Sequence, residues 1–200
     1  IYATGKRHIT ELGGLAKKMP VTTLACVIAA FSISGVPGFN GFVSKGMVIE
    51  AAAEKGMPLV EYALLLGSVG TWISFLKLTY FVFFKENEKI NAEEVPRPMQ
   101  AAMLSTAFLC VLFGVYPQLL FKWLPYELEY HPYSLLHFAT VTQLLAVTAA
   151  FFFARMIWFE PHARITYDID YVYRKLGNGF IWFATNPLAK FGKFTEKIFF

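Results

Sequence analysis

The sequence predicts an all-α integral membrane protein with about four transmembrane crossings. The first crossing is a broken helix, and an amphipathic interfacial helix follows the last. Three observations carry this. Hydrophobic residues make up 56 % of the chain and charged residues only 16 %, whereas soluble domains carry about a quarter charged. Uncharged runs of spanning length recur along it. Lysines and arginines gather on alternate ends of those runs.

The first element begins in the run Met19 to Ser44, 26 residues without a charge. Its second part, GVPGFNGF, is a poor helix. Pro37 removes a backbone donor, and Gly35, Gly38 and Gly41 permit non-helical dihedrals. Half-helices over Val21–Ser34 and Ser44–Ala53 would together reach about 36 Å, enough to cross a core of about 30 Å. The broken span therefore covers about 20–54. The second crossing is read over 58–84, with Glu61 near its start and Lys77 near its end. The third covers 99–121, where Met99 to Phe121 gives 23 uncharged residues. The fourth covers 134–158, with an uncharged stretch of 21 from Ser134 to Ala154.

Basic residues decide between one broken span and two short ones. With one broken span, Lys6, Arg7, Lys17, Lys18, Lys85, Lys89 and Arg97 share a side with the basic tail from Arg155 to Lys197, and only Lys55 and Lys122 face the other way. Two separate spans would put the basic N-terminal segment opposite the basic tail. The broken helix is the consistent reading, with both ends of the chain cytoplasmic. Residues 1–159 then form the transmembrane part and 160–200 an interfacial tail. In RITYDIDYVYRKLG, Ile165, Ile169, Val172 and Leu176 follow helical spacing, with charges elsewhere on the wheel, as in helices lying in the membrane plane.

Breaking a helix at membrane depth leaves backbone groups unpaired. That is tolerated where they are buried in protein or line a wet cavity, and such discontinuous helices recur at ion sites in transporters. Lys45 stands beside this break. A lysine gains and loses its proton readily when its ammonium is desolvated, and intramembrane ionisable groups are functional candidates. The bland alternative is that Lys45 snorkels and anchors a helix end. Lys77, near the inner face, is better suited to snorkelling than to a relay. Glu50, toward the outer end of the second half-helix, is a candidate for an exit path and otherwise a solvated flank. His131 and His137 flank the start of the last span and are weaker carriers. Ser32, Ser34 and Ser44 have hydroxyls able to support water or freed backbone groups.

Two phrases, TGKRHITELGGLAKKMPVTT at 4–23 and SISGVPGFNGFVSKGM at 32–47, together resemble the proton-conducting antiporter-type membrane subunits. That family includes subunits A and D of the Mrp-type Na+/H+ antiporters, the antiporter-like subunits of respiratory complex I and their counterparts in membrane-bound hydrogenases. The likeness covers residues 1 to about 120, and the loop LAKKMP leans toward the Mrp type. The resemblance implies that the segment after LGGL is a broken transmembrane helix. It also implies that Lys45 ends a mid-membrane proton relay near the outward exit, and that Lys77 matches the family's basic residue on the following span. Some members have Glu at the Lys45 position. Partners implied are other membrane subunits, protons with Na+ as a further ion, and the lipid bilayer, in a bacterial or archaeal cytoplasmic membrane. The family's inward half-channel Glu and Lys and its central Lys or His lie upstream of the TG turn and are not in this sequence. Ile1 opens the chain with neither an initiator Met nor a signal pattern, so it reads as the C-terminal part of something longer.

Other functions find little support. Cys26 and Cys110 lie in separate apolar runs with no metal-ligand spacing, so no cofactor is expected. The TGK at 4–6 lacks the rest of a phosphate loop, and no Ser/His/Asp set or dinucleotide fingerprint appears. Basic residues flank spans, where orientation explains them without nucleic acid. The reading is a proton or cation/proton translocating subunit, not itself an enzyme. The alternative is a structural or assembly subunit without a complete ion path.

Overall fold

The computed structural model describes residues 2–86, 90–125, 130–162 and 169–188. Their regular secondary structure is helical throughout. The chain divides into two compact units, residues 1–161 and 162–200.

In the first unit, two short 3-10 turns, Ile9–Glu11 and Leu15–Lys17, lead into α1, Pro20–Ser34. Pro20 fits the first turn because its missing N–H has no intrahelical partner there. The next two N–H groups are taken by a distant side chain. Val21 N and Thr22 N donate to Glu94 Oε2 at 2.8 and 3.4 Å, and the Thr22 hydroxyl donates to the other Glu94 oxygen. A carboxylate at a helix N-terminus also meets the positive end of the helix dipole. Partial burial pushes the Glu94 carboxyl up, but the bonds from Thr22, Val21 and Val95 outweigh it and hold it below its ordinary range.

α1 ends at Gly35, whose φ of 83° is left-handed. Gly35 N donates to Ser32 O and Val36 N to Phe31 O, at 3.1 and 3.0 Å. This is the Schellman arrangement, in which glycine closes a helix without a Cβ clash. Residues 35–39 are non-helical, and α2 runs from Asn40 to Glu54. α2 thus begins four residues before the expected Ser44, because it accepts Gly41 within its first turn.

α3, Pro58–Thr79, continues through a wider π-type turn at Tyr80–Phe84. α4, Arg97–Val115, is followed by the single turn α5, Gln118–Phe121. The 99–121 run is thus two helices rather than one. Pro117 has no N–H to give the Phe113 carbonyl, and the chain leaves helical geometry at Tyr116. α6 spans Leu135–Ala154, with the Ser134 hydroxyl accepting from His137 N, and α7 covers Met156–Phe159. Among the described residues, 58–84, α4 and α6 are long and apolar enough to cross a membrane, and α1 is a shorter apolar helix.

α1 packs on α3 and α4, α2 on α3 and α4, and α3 on α6. Trp72 Nε1 of α3 donates to Leu145 O of α6 at 3.0 Å. Leu15, Val82 and Phe83 form a buried cluster, with Ile9, Leu12, Leu78 and Ile90 around it. Many large apolar side chains lie on the surface, Leu59, Leu66, Leu135 and Leu136 among them. On helices of this length and apolarity, such a surface suits lipid or partner helices.

The second unit contains α8, Ile169–Phe183, extended by a π-type turn through Leu188. Val172, Leu176, Phe180 and Phe183 fall along one side and are exposed. Arg174, Lys175 and Asn178 lie off that stripe. Ile165 lies outside the described residues.

Candidate functional site

The site is built where α1 stops and α2 starts. The two helices meet main chain to main chain. A Cβ at Gly41 would collide with the Ser32 carbonyl, so glycine is required for the approach. The Ser32 hydroxyl donates to Asn40 Oδ1 across the same junction. Phe31 and Phe39 pack edge to face at 5.8 Å, and Phe31 meets Trp72 of α3 at 5.9 Å.

The loop between them is held from the other side by α4 and by the segment before α6. Gly114 of α4 lies against Gly38 and Phe39 so closely that a Cβ there would overlap their backbone. The Tyr133 hydroxyl donates to Gly114 O. Partial burial pushes the Tyr133 phenol up, and a hydrogen bond with the Gly38 backbone opposes it. The irregular backbone is therefore packed on by neighbouring elements and buried at Gly35, while residues 36–39 are half-buried; packing of this kind helps a membrane tolerate it.

Lys45 sits one turn into α2 and reaches back. Helical side chains lean toward the N-terminus, and its stem lies across Gly35, where a Cβ would stand 3.5 Å from Lys45 Cδ. Its Nζ is buried and has no hydrogen-bond partner among the described residues. It thus occupies the carbonyl end of α1, the negative pole of that helix. Ser34, 2 % exposed, ends α1 next to Gly35, and its buried hydroxyl has no partner among the described residues.

Of the other expected residues, Gly35, Gly38 and Gly41 line the junction between α1 and α2, and Pro37 lies in the loop. Ser44 is exposed on α2, and Glu50 is exposed about 1.4 turns beyond Lys45. Lys77 is half-buried near the end of α3, and His131 is exposed. Nothing in the sequence singles out Tyr130, and His137 stands out only weakly. Both lie against α2 at Gly46. A glycine placed directly after the lysine, inside a helix, is the available signal.

The chain has recognisable relatives. Residues 1–74 match the family model described as NADH:quinone oxidoreductase/Mrp antiporter, TM. An uncharacterized protein of Methanocaldococcus jannaschii is 32 % identical over 122 residues, covering 58 % of this chain and 25 % of that protein. The Na(+)/H(+) antiporter subunit A1 of Staphylococcus haemolyticus is 32 % identical over 133 residues, 60 % of this chain and 17 % of its own length. A putative antiporter subunit, mnhD2, of Staphylococcus aureus is 32 % identical over 117 residues, 58 % and 24 %. Among solved structures, a chain of the membrane-bound sulfane sulfur reductase, an archaeal respiratory membrane complex, aligns with a TM-score of 0.59 at 26 % identity. That alignment covers 83 % of this chain and 30 % of the other. The chain spans a quarter or less of the length of these curated relatives. Over residues 1–74 and against these relatives, the chain is similar to antiporter-type membrane subunits.

Proposed function

We propose that the chain is part of a proton or cation/proton translocating subunit in a multisubunit antiporter or respiratory-type complex, with Lys45 as a relay residue at a helix break. In this reading α1 and α2 make one broken crossing, 58–84, α4 and α6 make three more, and both ends face the cytoplasm of a prokaryotic cell. Other membrane subunits, protons, Na+ and lipid are its partners. The supporting observation is the Lys45 ammonium nitrogen, buried without a partner among the described residues, with its stem against the unwound backbone at Gly35. Holding a charge that way is costly, several kcal/mol for an ion removed from water. Its proton is therefore worth moving whenever a donor or acceptor reaches it. Snorkelling, by contrast, would carry the nitrogen to a headgroup. Ser34 and the GVPG backbone supply polar groups beside it, while Ser44, Glu50 and Lys77 serve the approaches.

The test is Lys45→Ala in the assembled complex. Ion-coupled proton movement in membrane vesicles should fall to background while the complex still assembles and extracts intact. Transport retained in that variant would remove Lys45 from the pathway. Loss of assembly in both Lys45→Ala and the milder Lys45→Met would instead favour the structural or assembly role.

A further inference from the structure

The side of α2 next to Lys45 carries a second cluster. Phe42, Gly46 and Glu50 recur every four residues and so share one face. Phe42 is 1 % exposed, with its ring centroid 4.8 Å from that of His137 and 5.3 Å from that of Tyr133. One turn on, at Gly46, the helix backbone is bare. A Cβ there would overlap both the Tyr130 hydroxyl and His137 Nε2. Both atoms are buried and lack a hydrogen-bond partner among the described residues. The Tyr130 ring is held edge-on to Phe121 of α5 at 6.4 Å. Glu50, a further turn along, is close enough for its charge to act on both Tyr130 and His137.

Two unpaired polar atoms aimed at one bare spot, beside a buried lysine on the same helix, are not explained by packing. Glycine is a poor helix former, and an Ala at 46 would hold the helix better. The glycine leaves room for the two side chains. We propose that His137 and Tyr130, seated on α2 at Gly46, form the outward station of the Lys45 pathway, His137 carrying the proton and Tyr130 orienting it. This rests on the function proposed above.

The step balances as a proton hop. Lys45 Nζ–H+ passes its proton through intervening water to the lone pair of His137 Nε2, leaving a neutral amine and an imidazolium. The imidazolium then releases its Nδ1 proton toward Glu50 and the outer surface, and ring rotation restores the acceptor. One proton enters, one leaves, and no electrons move. Tyr130 does not ionise in this scheme. Burial and the Glu50 charge push its phenol up to about 12, so it stays a hydrogen-bond donor. The charge that reaches His137 from α2 is Glu50. Tyr130 shares the spot at Gly46, and Tyr133 packs on the same Phe42 ring. Lys45 lies on the adjoining face with its stem toward Gly35. His131 lies exposed on the segment before α6.

The experiment compares His137→Gln and Tyr130→Phe with the unmodified complex in vesicles, across about pH 5.5 to 8.5 where imidazole titrates. His137→Gln should lower transport by at least about tenfold and flatten its pH profile, and added imidazole on the outer side should restore part of the rate. Tyr130→Phe should lower the rate less and keep the profile. Transport in His137→Gln within about twofold of normal overturns the proposal. So does a loss that imidazole does not restore, since that marks a packing role. Loss in Lys45→Ala with either of these results sinks the histidine station alone and leaves the Lys45 reading standing.

Discussion

Gly41→Ala probes the junction on which the site depends. The added Cβ would stand 2.8 Å from the Ser32 carbonyl carbon and closer still to its oxygen. The obstacle is backbone in a capped helix end, so no flexible side chain can move aside. Alanine would contribute about 1 kcal/mol to α2 through helix propensity. Separating α1 from α2 sets about 1 to 3 kcal/mol of overpacking strain against that. It also loosens the Ser32–Asn40 bond, about 1 kcal/mol more. The balance is a net loss of about 1 to 3 kcal/mol. The assay is thermal unfolding of the purified complex in detergent, followed on this chain by cysteine accessibility at Cys26. The two helices should come apart at lower temperature, with transport falling in parallel. A variant as stable as the unmodified chain would show that α1 and α2 do not approach as closely as described, and the steric argument would fail.

Two further outcomes follow from contacts outside the junction. Glu94 is bonded as a carboxylate to the start of α1, and its folded pKa lies below the ordinary 4.5. A depressed acid stabilises above its unfolded pKa and ceases to as pH falls through the folded value. The unmodified chain should therefore lose more stability between about pH 5 and 3 than Glu94→Gln, measured as the melting temperature against pH. Trp72→Phe removes the donor to Leu145 O between α3 and α6. It should cost about 1 kcal/mol, read from denaturant or heat unfolding, with assembly preserved.

Several features are legible because local chemistry decides them. Pro37 with Gly35 and Gly38 announces the end of α1, and Pro20 and Pro58 sit where helices start. Gly41 misleads the placement of α2. Its reason is a contact with Ser32 that appears only when the two helices fold together, so local propensity pushes the expected start to Ser44. Counting uncharged residues likewise carries one helix through to Phe121, because hydropathy is blind to the donor that Pro117 lacks. The Tyr130 and His137 arrangement is the least legible. Both reach Gly46 from far along the chain, and a lone histidine near a helix start carries little information until its neighbour is known. Lys45 stands out by composition alone, as a cation next to helix-breaking residues; that it folds back onto Gly35 needs coordinates.

The joint between α1 and α2 is made of main chain. Main chain in a capped helix has no rotamers to freeze and nothing to titrate, so this contact forms with little side-chain entropic loss. Against that hard point lies one soft part, the four-carbon stem of Lys45. A rigid seat and a limber arm divide the labour: the seat sets where the amine pivots, and the arm sets how far its nitrogen can reach without disturbing the helices that hold it.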